Sequence, residues 1–162
     1  MDKASLLADI LTALAIAQTQ ALNAAAEAHE TATHTENVAE NKYDTLGLEA
    51  AYLAHGQSQR VLTCSADLKA FERLRPTPWQ AGDAIDLGAL ICLHTDDADA
   101  ASRWLYLGPG AGGLRMPLGG TEVVVVTPAA PLGQQLLGRY LGDDISIMVV
   151  GKQQDYAIKE VL

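Results

Sequence analysis

The sequence predicts an α+β protein: an N-terminal antiparallel coiled-coil helical hairpin, then a small antiparallel sheet domain with one short helix. Three observations carry this. From Ala4 to Thr33 there is neither Pro nor Gly, and apolar residues recur there at alternating three- and four-residue steps, the period of a helix face. Two prolines, Pro76 and Pro78, then end the helical pattern, because Pro lacks the N–H that a helix interior requires. Beyond them the period shortens to apolar runs separated by Gly and Pro, the signature of strands and turns.

The first helix takes its stripe from Leu7, Leu11, Leu14, Ala17, Ala21, Ala25 and Ala28. The second, from about Asn41 to Leu74, takes it from Leu46, Ala50, Leu53, Gln57, Arg60, Cys64, Leu68, Phe71 and Leu74. Such stripes pair as an antiparallel coiled coil, well filled at the open end and thin toward the tip, where Ala dominates. Gly47 and Gly56 each cost the second helix about 1 kcal/mol relative to Ala, which close packing against small residues would explain. Residues 1–75 thus form the hairpin, with an acidic tip near residues 34–44, and residues 76–83 form a hinge. Residues 84–162 form the second domain.

In that domain strands are expected at Leu87–His94, Arg103–Leu107, Thr121–Thr127, Ile145–Val150 and Tyr156–Val161. Val123 to Val126 reads as a buried strand. The short helix is Pro131-Leu132-Gly133-Gln134-Gln135-Leu136-Leu137-Gly138, with Pro at its start and Gly138 closing it. Gly108-Pro109-Gly110-Ala111-Gly112-Gly113 has the glycine content of a phosphate loop, but Leu114-Arg115-Met116-Pro117 does not continue as a helix, so a hairpin loop is expected.

Composition narrows the function. A net charge of −9 disfavours direct binding of nucleic acid or of an anionic membrane, both of which require clustered Lys and Arg. No run reads as long or apolar enough to span a bilayer, and the start Met1-Asp2-Lys3-Ala4-Ser5 lacks the pattern of a signal peptide. Cys64 and Cys92 lie far apart with no metal-ligand spacing, as expected of free thiols in a reducing cytoplasm. His29 and His34 with Glu30 make a poor metal site, since five-residue helical spacing points the imidazoles apart.

The chemistry-bearing feature is the acidic segment between the helices, with Glu36, Glu40 and Asp44. Arms of about 30 residues would hold these carboxylates roughly 45 Å from the hairpin base, a place where packing requires no acids. Thr33-His34-Thr35-Glu36 and Asn37-Val38-Ala39-Glu40 also read as capping boxes, in which the acid satisfies backbone N–H groups at a helix start. Three acids at four-residue spacing repel mildly on one helix, so capping leaves part of the cluster unexplained.

Ala130-Pro131-Leu132-Gly133-Gln134-Gln135-Leu136-Leu137-Gly138-Arg139-Tyr140-Leu141-Gly142-Asp143-Asp144-Ile145 resembles the S-P-x-G-x-A-L-x-G-x-x-x-G-D signature of the bacterial Gre transcription elongation factors (GreA and GreB). Ala130 stands for the usual Ser, and Gln135 for the usual small residue. Tyr156-Ala157-Ile158-Lys159-Glu160-Val161 is similar to the family's closing strand. His34-Thr35-Glu36 and Glu40-Asn41-Lys42-Tyr43 resemble the family tip H-G-D-L-x-E-N-x-x-Y. Three residues separate Glu36 from Glu40 where the family has two, Glu36 replaces an Asp, and Tyr43 is one residue closer to Asn41.

The resemblance implies an FKBP-like fold for the C-terminal domain and RNA polymerase as partner, with the hairpin inserted in the secondary channel. It makes Glu36 and Glu40 a metal-assisting pair, with Asp44 one turn beyond. They would act on a Mg²⁺ shared with the polymerase, in a protein that has no cofactor of its own and is a coactivator rather than an enzyme. Pro131, Leu132, Gly133, Leu136 and Tyr140 would form the partner-binding strip. Arg60 is the candidate RNA contact on a hairpin otherwise poor in cations, unless it lies along the helix seam. Nucleic acid would be met only through the elongation complex, and the chain is expected to be cytoplasmic, a monomer or weak homo-oligomer. A divergent tip also fits a non-cleaving regulator that occupies the channel in competition with other factors. An FKBP-type isomerase or chaperone would need an aromatic-lined pocket.

Overall fold

The structure, a computed structural model, describes residues 2–33, 46–95, 102–149 and 151–162. Two helices come first, α1 (Lys3–Thr33) and α2 (Leu46–Arg73). Then follow β1 (Leu90–His94), β2 (Arg103–Leu107), β3 (Arg115–Leu118), β4 (Thr121–Val126), α3 (Pro131–Leu136), β5 (Asp144–Val149) and β6 (Lys152–Val161). The chain divides into two compact units, one of residues 11–69 and one of residues 1–10 with 70–162.

In the helical unit, Leu14, Ala21 and Ala28 of α1 are buried. On α2 the half-buried positions include Ala50, Ala54, Gln57, Val61, Cys64 and Leu68, which follow a four–three alternation. This corrects the expected stripe at two places: Leu53 and Arg60 are exposed, and Ala54 and Val61 take the inward positions. Gln18 Nε2 donates to Ser65 Oγ across the pair at 2.9 Å, fixing the antiparallel register. Gly56 does not serve close packing, because a Cβ there would meet nothing within 4 Å. By length and composition α1 is apolar enough to cross a membrane, against expectation, because Ile10 to Ala26 holds no charged residue. Of its most apolar stretch, 22% is buried within the protein.

The other unit is built on a six-stranded sheet of order β3-β4-β2-β1-β6-β5. It is mixed rather than antiparallel throughout, since β2 pairs with β4 in parallel. The reason is the unforeseen strand β3. Without it, β2 and β4 would be neighbours in a simple hairpin; with it, the chain reverses twice and β4 runs alongside β2. Gly119 and Gly120, at φ 59° and 84°, form the tight turn between β3 and β4, a conformation that disfavours side chains. Pro117 is tolerated because β3 is an edge strand.

One face of the sheet carries Ile91, Leu93, Leu105, Leu107, Ile145, Tyr156 and Ile158 into a core closed by Ile85 and by Leu136 of α3. Alternation along the strands sends Leu90, Tyr106, Val123 and Val125 to the other face, where all four are fully buried. On that face the Phe71 ring stacks on Tyr106, with centroids 6.3 Å apart. Leu6 and Ile10, which the expected stripe passed over in favour of Leu7 and Leu11, are fully buried in this unit.

Candidate functional site

Three places carry the residues singled out above: the segment between α1 and α2, the outer side of α2, and the surface around α3. Glu36, Glu40 and Asp44 lie outside the described residues. Up to that segment α1 is regular, with the Thr33 hydroxyl donating to the His29 carbonyl at 2.9 Å. On α2, Arg60 is exposed beside the inward Val61, so its guanidinium lies off the seam and is open to solvent.

Around α3 the sequence pattern resolves into separate jobs. Pro131 starts the helix, where its missing N–H costs nothing. Gly133 is buried against the Thr127 carbonyl, and a Cβ would overlap that oxygen. Leu136 is fully buried in the core. Gly138 follows the helix at φ 78°, and its N–H donates to the Ile85 carbonyl at 2.8 Å. Tyr140 to Asp143 then forms a turn: the Tyr140 N–H donates to Asp143 Oδ2 at 3.0 Å, and the Asp143 N–H donates to the Tyr140 carbonyl at 3.1 Å. Gln80 to Asp83 repeats this arrangement, with both bonds at 2.9 Å.

This geometry redraws the expected partner strip. Gly133 and Leu136 are inside and unavailable to a partner, because the helix turns them toward Thr127 and the core. Pro131 is exposed, Leu132 half-buried, and Tyr140 50% exposed. Leu137 and Leu141, 44% and 46% exposed, join them. The signal for these two was present as Leu-Leu and Tyr-Leu pairs flanking the Gly residues. In the first pair only the geometry of the helix tells that Leu137 faces out and Leu136 in; in the second both residues are exposed.

Other polar features are modest. Asp155 accepts hydrogen bonds from the Ser146 hydroxyl and the Gln153 amide, which hold its carboxyl below the usual range. Trp79, with Asp83 and Asp86, borders a hollow of about 330 Å³. Phe71 and Tyr106 stack on each other in the core instead of lining a cavity, an arrangement that gives the isomerase reading no support. Among the described residues no group of three or more His, Cys, Asp or Glu could hold a metal.

No protein-family model and no curated protein matches the chain. Among solved structures it is similar to the GreA factor homolog Gfh1 of Thermus thermophilus, at 18% identity over 94% of each chain and a TM-score of 0.40. It is similar to Gfh1 of Thermus aquaticus at 17% identity, over 93% of this chain and 92% of that one, with a TM-score of 0.38. A GreA/GreB elongation factor from Nitrosomonas europaea is 18% identical over 70% of this chain and 91% of its own, also at 0.38. Likeness of this degree decides neither the packing of this chain nor its function.

Proposed function

We propose that this chain is a transcription-elongation-factor-like protein that binds RNA polymerase and inserts its pair of helices into the secondary channel. The observation that carries the reading is the stretch from Ala130 to Ile145. Its resemblance to the Gre signature is matched by a structural role for Pro131, Gly133, Gly138 and the Gly142-Asp143 turn. The exposed side chains within that stretch, Leu137, Tyr140 and Leu141, supply a docking surface. In this reading Glu36 and Glu40 bring hard oxygen ligands toward a Mg²⁺ held by the polymerase, which suits that ion's preference for oxygen. The chain itself is a coactivator without a complete active site.

A non-cleaving mode draws support from two features. The Glu36–Glu40 spacing departs from the family tip, and an added methylene or a shifted register moves a carboxylate by angstroms, which metal-assisted chemistry tolerates poorly. Arg60 is the sole Arg on α2 between Glu49 and Asp67, a thin grip for an RNA backbone.

Adding the protein to a stalled, backtracked elongation complex and following transcript length separates the two modes. Shortening by the wild type that is lost in Glu36→Ala/Glu40→Ala marks cleavage stimulation. Bound polymerase with unchanged transcripts marks channel occupancy alone. Absence of polymerase binding sinks both.

A further inference from the structure

The two helices of the 11–69 unit are not alike around their circumference. The Gln18–Ser65 hydrogen bond crosses from one helix to the other along one flank of the seam. Heptad steps from Gln18 lead along that flank to Leu11, Ala15, Leu22 and Ala25. Steps from Ser65 lead to Leu62, Ser58 and Ala51. The antiparallel register sets Leu22 level with Leu62, and both are open to solvent, at 50% and 63% exposure. His29 and His55 lie toward the far end of this flank, and Lys69, one turn past Ser65, closes it. Among the described residues no carboxylate falls on it. The opposite flank carries Glu27, Glu49, Arg60 and Asp67 around the exposed Leu53.

A free-standing two-stranded coiled coil places charged residues on both flanks of its seam. Apolar seam positions extended along one flank are instead the pattern of helices in a bundle. We propose that this uncharged flank is the contact surface for a second copy of the chain. Two helix pairs pack face to face about a twofold axis into a four-helix bundle.

Three considerations select that occupant. A twofold contact sets a surface against itself, so it requires a surface free of like charges, and residues 11–26 with 50–59 contain none. The flank runs about 27 Å along the helices and about 20 Å across the pair, on the scale of the roughly 800 Å² that each partner buries in a standard interface. A lipid surface fits less well, because helices lying in a membrane interface carry Lys and Arg beside the apolar face, and α1 has neither after Lys3. The bundle and the channel-inserted state use the same pair of helices and exclude each other at any one moment, so the dimer is the form free of polymerase, and each reading has its own measurement.

Sedimentation equilibrium of the full chain over a concentration series is expected to show a monomer–dimer equilibrium. Leu22→Glu and Leu62→Glu are each expected to weaken it about thirtyfold or more. Helicity by circular dichroism should be unchanged, since both side chains are exposed in the monomer; if either variant loses helix, Leu22→Gln and Leu62→Gln give the same reading without a charge. Leu53→Glu, on the other flank, is expected to leave dimerisation as it is. A chain that stays monomeric at every concentration overturns the proposal, including one that instead floats with zwitterionic phosphatidylcholine vesicles. So does a dimer that Leu53→Glu weakens as much as Leu22→Glu, or that neither Leu22→Glu nor Leu62→Glu weakens.

Discussion

The sheet unit and the helical unit bury different kinds of side chain. In the sheet unit, Ile91, Leu107, Val123, Leu136 and Ile158 are fully enclosed on the two faces of the sheet. In the helical unit the enclosed residues are Leu14, Ala21 and Ala28, and the seam of α2 is only half-buried. Stabilisation scales with the apolar area removed from water, at about 25 cal/mol per Å². An alanine seam therefore holds helices close together while contributing little per residue. One unit is held by area and the other by proximity, so the same substitution has different consequences in each.

The largest expected effect tests the tightness of the sheet unit. Gly133→Ala places a methyl on the Thr127 carbonyl and is expected to cost about 3 kcal/mol, since backbone must shift to admit it; denaturant titration measures the loss. Next comes Tyr106→Phe. The Tyr106 hydroxyl is buried without a hydrogen-bond partner, so its removal is expected to stabilise by about 1 kcal/mol. Burial also pushes this phenol up from 10.0 to about 12. A raised folded value means that the stability it carries is intact below pH 10 and is lost as pH climbs from 10 toward 12. The Phe variant should resist alkaline unfolding over that window, and a shared alkaline midpoint for the two proteins would refute the assignment. The smallest effect tests the seam. Val61→Ala is expected to cost about 1 kcal/mol, and Leu53→Ala, 56% exposed, less than about 0.5 kcal/mol. The reverse order in thermal melts would restore the register with Leu53 inward.

Much of this fold can be read before any coordinates. The helical run from Ala4, its end before Pro76, and the helix opened by Pro131 and followed by Gly138 all follow from local chemistry. Three things do not. Strand β3 hides behind Pro117, which argues against a strand except at an edge, and edge position is a property of the whole sheet. The presence of β3 also makes the β2–β4 pairing parallel where a simple hairpin would be antiparallel. The seam of α2 departs from the apolar pattern at Leu53 and Arg60: Leu53 is more apolar than Ala54, but in a close-packed pair the small residue goes inside and the large one is left out. Finally, Leu136 and Leu137 are equally apolar neighbours, and only the geometry of α3 decides that the first completes the core while the second is offered to solvent. The acids Glu36, Glu40 and Asp44 are legible in the sequence as a cluster, but their spacing leaves capping and ligand roles both open.

The pairing of β1 with β6 joins Ile91 to Val161, residues about seventy apart in the chain. The backbones of Leu90 and Leu162 complete it with reciprocal bonds of 3.0 and 2.9 Å. β1 with β2, and β5 with β6, are neighbours along the chain and can associate locally. Joining the two hairpins requires closing the long loop between them, and that entropy must be met before the contacts form. The middle of the sheet is therefore its least local pairing, and the flank of β1 is an open edge for another strand whenever β6 is away from it.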